Sequence, residues 1–85
     1  MNLRVLYFAA LRERVGRSEE MVSPPKDVAT VALLRDWLAQ RGAPWRDAFA
    51  ETRRVRAAVD QAMVDDEHAL HEGAEVAFFP PVTGG

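Results

Sequence analysis

TVALLRDWLAQRG, residues 30–42, is the clearest single element in the chain. Val31, Leu34, Trp37 and Leu38 recur at helical spacing and make one apolar face. Thr30 offers a hydroxyl oxygen to the free amides at the helix start, and Gly42 suits the end. Leu33 stands where a Glu or Gln would complete a capping box, so capping falls to Thr30 alone. A helix with a single apolar stripe must lay it on another layer, and the flanking sequence supplies strands.

Upstream, NLRVLYFA (residues 2–9) alternates as a strand does, with Leu3, Val5 and Tyr7 on one side and Arg4, Leu6 and Phe8 on the other. Both faces are therefore partly apolar. AALRERVG (9–16) reads as a short helix closed by Gly16, and EEMVS (19–23) as a strand pairing back before Pro24 and Pro25 stop it. Downstream, APWRDAFAE (43–51) has Pro44 near a helix start and Trp45 and Phe49 four residues apart, which suggests a further turn or two of helix. RVRAAVD (54–60) and AMVD (62–65) read as strands around a tight turn near Asp60 and Gln61, and EGAEVAFF (72–79) as a turn at Gly73 and a last strand. Strand, strand, long helix, then two or three strands predicts an α+β mixed sheet with one main helix across one face. The expected organisation is one domain over 1–79 and an extended tail over 80–85, with no linker or repeat between.

Eighty-five residues make a single small domain, with room for one core and no deep enclosed pocket. Composition is that of an ordinary soluble protein, 48% hydrophobic and 28% charged. A formal charge of −2 supplies no general attraction to nucleic acid or anionic lipid. The one basic cluster, Arg53, Arg54 and Arg56, reads as a solvated strand edge, since Arg54 and Arg56 are two apart, with a phosphate-binding patch as the alternative. No run approaches the ~20 apolar residues of a membrane span, and the apolar start is interrupted by Arg4, Arg12, Glu13 and Arg14, unlike a signal peptide. The expected location is the cytoplasm. Cysteine is absent, which removes disulfides, thiolate nucleophiles and cysteine-ligated zinc.

The sequence closes with FFPPVTGG, residues 78–85. Proline fixes its own φ and restrains the residue before it, so Phe79, Pro80 and Pro81 should follow a stiff, extended path. Val82 and Thr83 continue it, and Gly84 and Gly85 lack the Cβ atoms that would keep them from threading a narrow channel. From Pro80 onward an extended chain reaches roughly 20 Å at ~3.3 Å per residue, enough to enter another protein's active site. The bland reading is a frayed terminus. A carboxylate on Gly85 ionises near pH ~3.5 and is a poor electrophile until activated. Conversion to an acyl-adenylate followed by attack of a sulfur or nitrogen nucleophile is the expected chemistry. Without cysteine the chain cannot hold a persulfide, so carried sulfur would sit on Gly85 as a thiocarboxylate.

GAEVAFFPPVTGG at one end and VLYFAALRERVG at the other resemble the small, sulfur-carrying subunits of molybdopterin synthase, a ubiquitin-like family, over the whole chain. The resemblance implies a β-grasp fold. It implies that Gly85, preceded by Gly84, is adenylated by an ATP-dependent partner resembling ubiquitin-activating enzymes, then thiocarboxylated with sulfur from a cysteine desulfurase. The tail, Pro80 to Gly85, would insert into the large catalytic subunit and donate sulfur to cyclic pyranopterin monophosphate, building the dithiolene of molybdopterin. It further implies a heterotetramer, a non-catalytic donor role for this chain, and a partner-facing apolar patch at Phe8, Met63 and Phe79. Completion of a second small core under a loop is the alternative for those three. No glycine-rich phosphate loop is present, so ATP is expected on the activating partner, with no cofactor on this chain.

Other residue types point elsewhere less specifically. DDEHALHE (65–72) gathers acids with His68 and His71, which reads as a solvated loop more readily than a metal site. Ser18 and Ser23 lack a nucleophile-elbow context, and Trp37, Trp45 and Phe49 at helical spacing read as core. Three functional classes stay open: a sulfur donor, for molybdopterin or alternatively for thiazole synthesis; a ubiquitin-like modifier joined to amines through Gly85; and a passive interaction module. The Phe-Phe-Pro-Pro approach to the diglycine points away from thiazole synthesis.

Overall fold

The structure, a computed structural model, describes residues 1–52 and 54–81. In chain order the elements are β1 (Leu3–Tyr7), α1 (Ala9–Val15), β2 (Glu19–Val22), α2 (Val31–Ala39), α3 (Ala43–Glu51), β3 (Arg56–Val59), β4 (Ala62–Val64) and β5 (Glu75–Phe79). The strands form one mixed sheet in the order β2-β1-β5-β3-β4. β5 runs parallel to β1 and antiparallel to β3, and both hairpins are antiparallel. The α+β sheet with helices over one face is as the sequence predicts.

The core is what alternation dictates. Leu3, Val5 and Tyr7 of β1, Val22 of β2, Ala57 and Val59 of β3, and Val76 and Phe78 of β5 are buried together with Leu11, Val31, Leu34, Leu38 and Ala48 from the helices. The Thr30 hydroxyl accepts from Leu33 N, as expected, and Gly16 closes α1 with φ 87°. Asp60 and Gln61 form the β3–β4 turn with φ of 50° and 71°, the left-handed pair that fits the twist of a two-residue hairpin.

Four local expectations are corrected. The first strand stops at Tyr7 instead of Ala9, because Ala9 takes φ 53° and turns the chain into α1. α2 ends at Ala39 with Gln40 as its cap, and Gly42 belongs to the start of α3. α3 is as long as α2, nine residues each, because Ala48 is fully buried and Trp45 and Phe49 pack against the core. β3 is not an edge strand: β5 and β4 flank it, and Arg54 lies ahead of it at φ 53°. Arg54 and Arg56 are exposed as expected, but not on an edge; Arg53 lies outside the described residues.

The loop 65–72 is more than solvated charge. Its carbonyls at Asp66 and His68 accept from Ala32 N and Val31 N, the free amides at the start of α2, at 3.0 and 3.1 Å. Arg35 returns a two-pronged ion pair to Asp66 at 3.1 and 2.9 Å. The hydrogen bond between the two raises the Arg35 pKa and lowers that of Asp66, outweighing the opposing effect of burial.

One polar cluster joins the sheet to the helices. Glu20, with only 6% of its side chain exposed, accepts from Tyr7 Oη at 2.7 Å, Arg41 Nη1 at 2.8 Å, Trp45 Nε1 at 3.0 Å and Arg17 Nη1 at 3.2 Å. Arg41 also lies 4.5 Å over the Trp45 ring. Burial pushes the Glu20 pKa up, but the hydrogen bonds from Tyr7, Arg41 and Trp45 together outweigh it and hold the carboxyl below its ordinary value. Burial, then the bond to Glu20, raises the Tyr7 pKa. No helix among the described residues is long and apolar enough to cross a membrane.

Candidate functional site

The face of the sheet turned away from the helices carries the residues that the resemblance singles out. Side chains directly opposite in register share a face, so successive pairings trace rows across the sheet. Leu6 of β1 lies opposite Ala77 of β5, Ala77 opposite Ala58 of β3, and Ala58 opposite Met63 of β4. One step toward the tail, Phe79 lies opposite Arg56. Phe8 extends β1 beside Phe79, its amide donating to Phe78 O at 3.1 Å and continuing the parallel ladder. Phe8 is 46% exposed and Met63 54%, and Leu6, Ala58 and Phe79 are half-buried.

Phe8, Met63 and Phe79 thus share one continuous surface. Met63 completes no second core among the described residues, where its side chain stays exposed. The sequence reading missed Leu6, Ala58 and Ala77, which fill the ground between the three. Alternation placed Leu6 correctly, but the neighbour relation of β1, β5 and β3 was needed to join them.

Charges border this surface. Arg4 pairs with Glu19 of β2 at 2.6 Å and with Glu75 of β5 at 3.7 Å, closing one side. Arg56 is exposed beside Phe79 on the other. An apolar patch inside a polar border is the composition of a protein interface.

The tail leaves from the middle of the sheet. Phe78 is fully buried and meets Phe49 edge to face, with ring centroids 5.3 Å apart, which fixes the last turn of the strand path. Phe79, next in the chain, takes the opposite face. Pro80 and Pro81 follow, half-buried. Val82, Thr83, Gly84 and Gly85 lie outside the described residues.

The remaining candidates do not converge. His71 Nε2 meets Asp60 Oδ2 at 2.6 Å, with Nδ1 near Glu72 O, and no cluster of three or more metal-ligating side chains forms among the described residues. Trp37, Trp45 and Phe49 pack against the core. Ser23 donates to Asn2 Oδ1 at 2.6 Å.

The model of the ThiS family matches residues 5–85. The chain belongs to the ThiS family. Among its relatives, the molybdopterin synthase sulfur carrier subunit of Escherichia coli (strain K12) is 45% identical over 83 residues, covering 98% of this chain and 99% of that protein. The protein so named from Haemophilus influenzae (strain ATCC 51907 / DSM 11121 / KW20 / Rd) is 41% identical over 83 residues, covering 98% and 99%. A chain in the protein-protein complex of subunit 1 and 2 of molybdopterin-converting factor from Helicobacter pylori 26695 has the same fold, with a TM-score of 0.67 over the whole of both chains at 19% identity. The ThiS family match runs through the diglycine, so the sheet face, the strand that leads from it and the tail all fall within the shared region.

Proposed function

We propose that this chain is the sulfur carrier and small subunit of molybdopterin synthase. The full-length likeness to two bacterial carrier subunits carries this reading, and the bordered apolar face leading into the tail supports it. Residues 1–79 serve as the β-grasp body and 80–85 as the carrying arm. Phe8, Met63 and Phe79 dock on the large subunit, and Pro80, Pro81, Val82 and Thr83 line the path along which Gly84 and Gly85 reach its active site.

The chemistry is group transfer on Gly85. An ATP-dependent adenylyltransferase, holding the nucleotide itself, joins the carboxylate to AMP and releases pyrophosphate. Persulfide sulfur delivered from a cysteine desulfurase attacks the acyl carbon, AMP leaves with the electron pair of the broken C–O bond, and a thiol reductant then cleaves the S–S bond, taking up the oxidation as its own disulfide. The resulting thiocarboxylate gives its sulfur to cyclic pyranopterin monophosphate, and water restores the carboxylate.

The test is fragment mass spectrometry after incubation with ATP, a sulfur source and the activating enzyme. Replacing oxygen by sulfur nominally matches methionine oxidation, and the chain has three methionines, so the change must be localised. Sulfur on Gly85, and loss of sulfur transfer with an intact fold when Gly85 is deleted, are the expected results. Unchanged synthase activity after that deletion overturns the reading, and Gly85 recovered on lysine amines points to a protein modifier instead.

A further inference from the structure

Met21 and Met63 are both open to solvent, at 67% and 54% exposure, whereas Met1 packs against the core. The two exposed thioethers share a sheet face but not an environment. Met21 stands on the edge strand β2 opposite Arg4, in the row that continues to Glu75. It is therefore outside the charged border. Met63 stands inside it, at the end of the row through Ala58, Ala77 and Leu6. The alanines next to it are too short to screen its sulfur, so the thioether supplies much of the apolar relief at that end of the patch while remaining accessible to small molecules.

We propose that Met63 is an oxidation site at which a peroxide switches off docking on the large subunit; this rests on the docking role proposed above. The sulfur lone pair attacks one peroxide oxygen, an S–O bond forms as the O–O bond breaks, and the other oxygen leaves as water after proton transfer. Sulfur loses two electrons and the peroxide gains them. The sulfoxide is a polar acceptor that must be stripped of water when the patch is covered, and an apolar partner surface returns no hydrogen bond. Only the free carrier is open to this reaction, since docking covers Met63 and shields it. A dithiol reductant restores the thioether, becoming a disulfide as the sulfoxide oxygen leaves as water.

The experiment treats the full chain and its Met63→Leu variant with hydrogen peroxide. Peptide mapping confirms oxidation at Met63 and Met21, and each product is titrated calorimetrically against the large subunit. Oxidised wild type is expected to lose about tenfold in affinity, while oxidised Met63→Leu, with Met21 converted, stays within about twofold of its untreated form. Full affinity in a sample mapped as Met63 sulfoxide overturns the proposal, as does an equal loss in oxidised Met63→Leu. Untreated Phe79→Ala separates the two layers: if it binds as wild type does, the docking face itself is wrong; if it binds weakly while oxidised wild type binds fully, only the role of Met63 fails.

Discussion

Tyr7 Oη donates to Glu20 Oε2 at 2.7 Å, joining strands β1 and β2 through their helix-facing side chains. The same carboxylate takes up donors from the ends of α1 and α2 and from α3, so one acidic group fixes three helices against the sheet.

Glu20→Gln should lower stability at pH 7 by about 1.5–3 kcal/mol, the worth of hydrogen bonds to a charged group. The folded pKa lies below the ordinary 4.5, so this contribution is fully present above that value and is lost as pH falls through the folded pKa. Urea melts of both proteins should therefore differ at pH 7 and converge in acid. A penalty that stays constant with pH would assign the effect to packing instead of charge.

Phe78→Ala and Phe79→Ala should separate folding from docking. The first empties a fully buried site against Phe49 and should cost about 3–5 kcal/mol, read as a lower Tm. The second should leave Tm nearly unchanged and weaken binding to the large subunit by about 1–3 kcal/mol, read by calorimetry. Unaltered affinity for Phe79→Ala counts against the patch.

His71 should titrate above 6.5, because its hydrogen bond to Asp60, and next its contact with the Glu72 carbonyl, favour the imidazolium. A raised folded pKa means that the link stabilises below 6.5 and fades as pH rises through the folded value. Asp60→Asn keeps a residue that tolerates φ 50° and removes the charge, so the imidazole shift followed by NMR should move back down. A titration unmoved by Asp60→Asn would break the pairing.

Local pattern made α2 legible, since Val31, Leu34 and Leu38 recur with the helical period and Thr30 caps in place. The same holds for Leu3, Val5 and Tyr7 at period two. Gly42 misled because a glycine between two helices fits either boundary, and only the backbone shows that it begins α3. Arg56 misled for a different reason. Whether a strand is an edge depends on which strand lies next to it, and β5, last in the chain, inserts beside β3. Glu20 was invisible as a network centre because EEMV reads as a polar strand and its partners Tyr7, Arg17, Arg41 and Trp45 are scattered. The side taken by Phe79 was legible because the period-two alternation of β5 sets it opposite Val76 and Phe78, whatever lies around the strand.

The parallel pairing of β1 with β5 also sets an order of events. N-terminal segments are available first during synthesis, yet the two hairpins have no strand between them until residues 75–79 are made. A chain truncated before Glu75 is missing the centre of its sheet and leaves β1 and β3 each with an unpaired edge, a template for pairing with other chains. The sheet can close only after its last strand, the one that runs on into Pro80 and Pro81, has been translated.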